Sequence, residues 1–209
     1  MSSLAKFILK GFTLEHGRKA YLTDLWFYAI TSIIWLIWLI VSASTWPVIR
    51  QIGSFGSYFL GLISWTLLEY VIHRFVLHKV QPFEGWHQAH HQRPTAFITS
   101  PTAVTVLVFL VLVAWPAYIW TPIWFGLSYS SGIFTGSAIY SWVHHFVHQR
   151  RLKNSWLMDR KIWHALHHRP QKQLCFGVTT SLWDRVFKTD WNLQPQEKNS
   201  KFTPKRRAR

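Results

Sequence analysis

The feature that most constrains this chain of 209 residues is a run of fifty residues, 94–143, without a single Asp, Glu, Lys, Arg or His. A helix needs about 20 apolar residues to cross the hydrocarbon core of a bilayer, so this run is long enough for two spans. Pro116 and Pro122 mark the turn between them. Buried helices of a soluble protein are the alternative, but a small protein has little interior in which to hide so long an uncharged run.

Two earlier stretches, 25–49 and 51–68, are also free of charged residues and of histidine. Together the three stretches predict four membrane spans, near residues 25–44, 53–72, 101–120 and 123–143. We therefore expect an all-α integral membrane protein whose membrane domain covers residues 25–190. Residues 1–24 are expected to form an interfacial segment, and residues 191–209 a basic disordered tail.

The charges are few and mostly positive, since 23 Lys and Arg face eight Asp and Glu, for a formal net charge of +15. With four spans, both termini and the loop between spans two and three lie on one side of the membrane. Every Lys and Arg except Arg50 falls on that side, which the positive-inside rule makes cytoplasmic. The net charge thus indicates membrane orientation rather than a nucleic-acid partner.

Histidines carry the chemistry. Residues three and four positions apart share a helix face, so the two His-x-x-His-His triplets are each expected to point three imidazoles at one place. His73 and His78 are five apart, about 140° on an ideal helix. They are expected either to serve different metals or to have a helix end between them. Ten histidines lie in segments at the cytoplasmic ends of spans or in the cap predicted at 73–100 and 144–190: His73, His78, His87, His90, His91, His144, His148, His164, His167 and His168.

Imidazole binds iron, zinc, copper and nickel, and ten ligands are too many for one ion, so two metals are expected. A ferritin-like carboxylate site requires several glutamates and two Glu-x-x-His motifs, and the chain has too few of both. The His-Glu-x-x-His motif of metalloproteases is also missing. The interiors of the predicted spans carry no histidine pair that could ligate a haem. Redox chemistry on a lipid substrate is then favoured over zinc chemistry, because zinc has no accessible redox change.

The same motifs resemble those of the fatty acid hydroxylase superfamily, which includes sterol desaturases and carotenoid hydroxylases. The resemblance rests on EYVIHRFVLH at 69–78, HQAHH at 87–91, the pair at 144 and 148, and HALHH at 164–168. The closing segment GVTTSLWDRVF at 177–187 is similar to that of the fatty-acid 2-hydroxylase branch. The resemblance implies a monooxygenase with two irons, for which zinc can substitute in purified protein. It also implies O2 and an external electron donor as co-substrates, and hydroxylation near the carboxyl end of an acyl chain.

Two carboxylates are expected to support the metal-binding rings. A metal-bound histidine usually donates its second ring N–H to a carboxylate or a carbonyl oxygen. Glu69 stands one turn before His73, and Asp184 lies in the Trp-Asp pair of the closing segment that carries the resemblance. Asp159 is interpreted instead as a solvated helix residue.

The leading hypothesis is a membrane-bound, O2-dependent lipid hydroxylase that receives electrons from a separate protein, because no fused cytochrome domain is recognised. A desaturase or a sterol or carotenoid oxidase is the alternative within the superfamily. A non-catalytic membrane zinc-binding protein is the alternative from another class. The compact chain favours a bacterial inner membrane over the endoplasmic reticulum membrane.

Overall fold

A computed structural model describes residues 15–153, 155–169 and 173–191 of the chain. Helices and loops make up this part of the protein, in which no strand forms, as the prediction of an all-α protein requires. The predicted basic tail and most of the predicted interfacial segment lie outside the described residues. The helices are α1 Arg18–Ala43, α2 Val48–Leu77, α3 Phe83–Gln92, α4 Thr102–Trp120, α5 Ile123–Gln149, α6 Ser155–His167 and α7 Leu182–Val186.

Three of these helices, α1, α2 and α4, are long and apolar enough to cross a membrane. Their outward faces carry large apolar side chains that a bilayer would cover; Ile34 of α1 is 60% exposed and Leu112 of α4 is 68% exposed. The fourth expected span falls in α5, which has 27 residues but contains many serines and glycines on its buried side. The Ser128 and Ser131 hydroxyls donate to carbonyl oxygens one turn earlier, so these polar groups are satisfied within the helix.

The core of the helical bundle is the crossing of α2 and α5, the most extensive contact between helices in the described part. Gly61 and Gly132 lie at this crossing. A Cβ atom on Gly132 would stand 2.0 Å from the Tyr58 carbonyl oxygen, and one on Gly61 would stand 2.2 Å from the Tyr129 carbonyl oxygen. The two backbones therefore touch through glycines, as small residues allow in membrane helices.

Gly132→Ala should destabilise the bundle by about 2 kcal/mol or more, because the new methyl group overlaps a backbone oxygen and forces α2 away from α5. The matched control is Gly56→Ala, since a Cβ atom on Gly56 of α2 meets nothing within 4 Å. Thermal unfolding in detergent micelles should show a lower Tm for the first variant and an unchanged or higher Tm for the second. Equal Tm values would contradict the close packing of the two backbones.

The remaining elements gather at one end of the bundle. The last residues of α2 and α5 lie there together with α3, α6 and the segment 173–191, which contains α7. The segment reaches back to α2: Trp183 Nε1 donates to the Thr66 hydroxyl at 2.9 Å. The four histidine-containing segments are thereby brought to the same end of the bundle; they are 73–78, 87–91, 144–148 and 164–168.

Candidate metal centre

The histidines form two neighbouring clusters in which the ring nitrogens available to a metal all lie within 4.8 Å of one another. We name them the first and the second cluster. Both consist of buried and half-buried rings. The first cluster contains His73, His78, His87, His91 and His167, and the second contains His90, His148, His164 and His168.

Each His-x-x-His-His triplet is divided between the two clusters. The triplet of α3 gives His87 and His91 to the first cluster and His90 to the second. The triplet at the end of α6 does the reverse, giving His167 to the first cluster and the other two rings to the second. The expectation that each triplet points at one place was therefore wrong. On a helix, positions i and i+4 are about 40° apart, whereas i+3 lies about 100° from i+4, so the pair stays together and the i+3 ring diverges.

His73 and His78 lie in the same cluster, so the expectation that they serve different metals is not met. The other expected outcome is found, because the helix ends at Leu77, directly before His78, and its last six residues form a π-helical turn, Ile72–Leu77. Hydrogen bonds in a π turn join residues five apart, which brings positions i and i+5 almost above one another. The two rings accordingly stack, with centroids 5.4 Å apart.

Backbone carbonyl groups orient two rings of the first cluster. His73 Nδ1 donates to the Phe176 carbonyl oxygen at 2.5 Å, and His167 Nδ1 donates to the Leu174 carbonyl oxygen at 2.9 Å. A carbonyl oxygen can only accept, so in each neutral ring the proton is on Nδ1 and Nε2 presents a bare lone pair. This is the tautomer that a metal ion requires of an imidazole bound through Nε2.

The converging Nε2 atoms have the spacing of ligands to a common ion. His91 Nε2 lies 2.9 Å from His87 Nε2 and 3.1 Å from His167 Nε2, while His73 Nε2 lies 3.0 Å from His87 Nε2. Two nitrogens bound at right angles to one ion at 2.0–2.1 Å would be about 3 Å apart. Two of the five converging atoms, His73 Nε2 and His167 Nε2, carry no proton. Their lone pairs repel each other unless a cation lies between them. The first cluster thus fits a metal ion.

The second cluster shows its fit through nitrogen atoms that lack partners. Both ring nitrogens of His90 are buried without a hydrogen-bond partner among the described residues, and so is His144 Nε2. Such orphaned buried atoms are rare in folded proteins and usually have a reason. His164 Nε2 lies 2.8 Å from His148 Nε2 and 3.0 Å from His168 Nε2, which is again the spacing of ligands to one ion.

His144 is the one predicted ligand that lies outside both groups. Its ring nevertheless stands beside the second cluster, with centroids 4.7 Å from His148 and 4.8 Å from both His90 and His164. It also stacks on Tyr140, with ring centroids 5.7 Å apart. The remaining histidine of this helix, His145, packs against Tyr21 and Trp142 and belongs to neither cluster.

Burial keeps these rings in the form that metals bind. Removal from water, with a smaller contribution from neighbouring histidines, lowers the pKa of His90 to about 2 and that of His168 to about 2. The same two causes lower the pKa of His91 to about 4. The rings are therefore neutral at physiological pH, and no proton competes with a metal for the lone pairs.

Asp184 does not accept a hydrogen bond from a histidine ring, as the sequence predicted, but from the backbone of the segment that contacts the rings. It is fully buried, and its carboxylate accepts hydrogen bonds from the backbone N–H groups of Phe176 and Gly177, each at 2.8 Å. The Thr189 hydroxyl and Trp163 Nε1 also donate to it, at 2.7 Å and 3.2 Å. Asp184 thus holds the backbone whose carbonyl groups orient the rings, rather than a ring itself.

Glu69 holds the next part of the same segment. Its Oε1 accepts from the N–H groups of Val178 at 2.6 Å and Thr179 at 2.9 Å, and the Thr179 hydroxyl donates to its Oε2. The segment is also tight: a Cβ atom on Gly177 would stand 2.0 Å from the Thr180 carbonyl oxygen. The sequence signal for this arrangement was the Gly-Val-Thr-Thr string, but its hydrogen bonds to residues more than a hundred positions earlier could not be read from it.

The family model for fatty acid hydroxylase matches residues 58–189, which include both clusters and the segment that orients them. The chain belongs to the fatty acid hydroxylase family. Three relatives are 30–33% identical to it over the aligned residues. The ceramide very long chain fatty acid hydroxylase scs7 of Schizosaccharomyces pombe is 33% identical over 156 residues, a match that covers 65% of this chain and 42% of that protein.

The dihydroceramide fatty acyl 2-hydroxylase FAH2 of Arabidopsis thaliana is 30% identical over 210 residues, which covers 88% of this chain and 84% of the relative. The fatty acid 2-hydroxylase of Rattus norvegicus is 31% identical over 162 residues, which covers 70% of this chain and 42% of the relative. The chain thus spans about two fifths of the fission-yeast and rat proteins and most of the Arabidopsis one.

The fold of this fatty acid hydroxylase family member is also similar to a solved structure. That structure is full-length scs7p, of which only the hydroxylase domain is visible. The TM-score is 0.69 with 23% identity, and the match covers 82% of this chain and 68% of the other. At this identity the likeness supports the fold alone.

Proposed function

We propose that this protein is a membrane-bound lipid hydroxylase that inserts one oxygen atom from O2 into an acyl chain, near its carboxyl end, at a di-iron centre. The observation that carries the proposal is the pair of histidine clusters, whose neutral rings are oriented by backbone carbonyl groups and lie at one end of a bundle of membrane-length helices. The named activities of the relatives, which act on ceramide or fatty acyl chains, give the substrate class.

The first cluster would hold one iron and the second cluster the other, with His144 completing the second. Iron held by neutral imidazoles supplies the O2 chemistry that attacks an unactivated C–H bond. The chain's own residues supply the rest of the site. The carbonyl groups of Leu174 and Phe176 keep two rings in the binding tautomer, while Asp184 and Glu69 hold the segment that carries those carbonyls.

In the proposed arrangement α1, α2, α4 and α5 cross the membrane, and the clusters lie in a cap on the cytoplasmic side with both termini. The support is the basic composition of that side and the position of the clusters at the C-terminal ends of α2 and α5. A separate electron-transfer protein is the proposed reductant. The host membrane is proposed to be a bacterial inner membrane, with the endoplasmic reticulum membrane as the alternative.

The test is an assay of purified protein loaded anaerobically with iron and mixed with ceramide and a chemical reductant. We expect a lipid product that gains one oxygen atom when O2 is admitted, and incorporation of the label from isotopically labelled O2. A product that loses two hydrogen atoms instead would show a desaturase. Stoichiometric zinc in protein from cells, no O2-dependent product and no restoration by iron would support the non-catalytic zinc-binding alternative and contradict the proposal.

A further inference from the structure

One residue separates the two carbonyl groups that orient rings of the first cluster. The Leu174 carbonyl oxygen accepts from His167 and the Phe176 carbonyl oxygen accepts from His73, so Cys175 stands between the two acceptors. Peptide planes are rigid, so the direction of one carbonyl group relative to the other is set by the backbone dihedral angles of Cys175 and Phe176.

Cys175 has a backbone conformation that is uncommon for a residue other than glycine. Its φ is 59°, in the left-handed region, where the Cβ atom crowds the following carbonyl oxygen. In the part of the chain that the structure describes, the other residue with a positive φ is Lys188. Such a conformation persists only where the surrounding structure holds it, and it is often found at functional sites.

A hydrogen bond and apolar packing hold Cys175 in this conformation. Its N–H group donates to the Thr189 carbonyl oxygen at 3.0 Å. Its side chain is fully buried and joins Trp163 and Leu166 of α6 in one apolar cluster. The same helix carries His167, so the side chain of Cys175 is packed on the helix whose ring the preceding carbonyl group orients.

The left-handed turn also shortens the chain between the two acceptors. In an extended strand, carbonyl groups two residues apart point the same way but lie about 7 Å apart, because each residue adds about 3.3 Å. The rings of His73 and His167 stand closer together, with centroids 4.3 Å apart. A right-handed turn would shorten the chain too, but it would rotate the following peptide planes in the opposite sense.

The thiol group itself has no contact with a metal-binding ring that would explain the residue. Cys175 belongs to neither histidine cluster, and its side chain is 0% exposed. What Cys175 brings to the metal centre is therefore the path of its backbone.

We infer that Cys175 is a positioning residue of the metal centre, which acts through its left-handed backbone conformation and not through its thiol. The turn points the Leu174 and Phe176 carbonyl oxygens at two rings of one cluster, and so keeps both rings in the tautomer that binds a metal through Nε2. This inference rests on the proposed function and deepens it, because it assigns the element that prepares the first cluster for its ion.

The experiment compares three substitutions of Cys175 in the full chain, purified in detergent micelles, loaded with zinc and kept well below the Tm of every variant. Cys175→Gly and Cys175→Asn introduce residues that tolerate the left-handed region, whereas Cys175→Val introduces a β-branched residue that resists it. Asn and Val are both larger than Cys, so this pair separates conformation from bulk. Cys175→Val should lose one of its two zinc ions at about tenfold to hundredfold lower chelator concentration, with Cys175→Gly and Cys175→Asn close to wild type.

The ring tautomers give a readout that a mere loss of stability does not change. In metal-free protein with isotopically labelled histidine, NMR should show fewer rings protonated on Nδ1 in Cys175→Val than in wild type or Cys175→Asn. Gly132→Ala is the control for destabilisation, because it acts at the crossing of α2 and α5. It should lower the Tm and leave the tautomers and the retention of both zinc ions unchanged.

The outcomes separate this inference from the proposed function. Wild-type zinc retention in Cys175→Val, loss of both ions from that variant while it is folded, or equal losses in all three variants would overturn the inference and leave the hydroxylase proposal intact. Selective loss of one ion from Cys175→Val, with no O2-dependent product from the iron-loaded wild type, would support the inference and contradict the proposed function.

Discussion

His90→Phe should remove one of the two metals from each chain and lower O2-dependent lipid hydroxylation by about a hundredfold or more. His90 is 5% exposed and lies in the middle of the second cluster, with ring centroids 4.7 Å from His148 and 4.9 Å from His168. Phenylalanine keeps an aromatic ring in this space but has no nitrogen to offer a metal. Metal analysis of purified protein and mass spectrometry of the lipid product measure the two effects.

The matched control is His145→Phe, the same change on a ring with the same 5% exposure. His145 packs against Tyr21 and Trp142 and stands outside both clusters, so this variant should keep two metals and wild-type turnover. If His90→Phe also keeps two metals and full activity, the second cluster is not a metal site and the di-iron proposal fails.

The positions of the ten histidines in the sequence were enough to predict that they gather, because two apolar segments of membrane length end in histidine on the same side. Their division into two clusters was not predictable in the same way. It depends on how α3 and α6 are rotated about their axes, which decides that His90 and His167 each leave their own triplet. The spacing i, i+3 and i+4 gives the angles between the rings on one helix, but it does not give the rotation of that helix relative to its neighbours.

The π turn at Ile72–Leu77 is the clearest local feature that the sequence did not predict. Ideal α-helical geometry separates His73 from His78, and no residue between them indicates a wider turn. The conformation of the segment 173–191 was not predictable for a different reason. It depends on hydrogen bonds to Glu69 and to the buried Asp184, and these contacts form only when the chain folds. The spans predicted near 25–44, 53–72 and 101–120, by contrast, overlap α1, α2 and α4, which are long and apolar enough to cross a membrane.

Asp184→Asn should have the second large effect, and it should act mainly on the first cluster. The substitution places an NH2 donor among four donors that now converge on one carboxylate, so at least one buried N–H group loses its acceptor. The segment then no longer presents the Leu174 and Phe176 carbonyl oxygens firmly to His167 and His73. We expect metal affinity of the first cluster to fall about tenfold to a hundredfold, and stability to fall by about 3 kcal/mol.

Asp159→Asn makes the same chemical change on an exposed position of α6 and should leave metal content, activity and Tm unchanged. General unfolding would release both metals, so the distinguishing measurement is metal content at a temperature well below the Tm of the variant. There, Asp184→Asn should retain the metal of the second cluster at wild-type affinity, and combining it with His90→Phe should leave only the weakened site of the first cluster. Loss of both metals from Asp184→Asn alone in folded protein would contradict this division of roles. Retention of both at wild-type affinity would show that the carbonyl groups of the segment do not control the rings they contact.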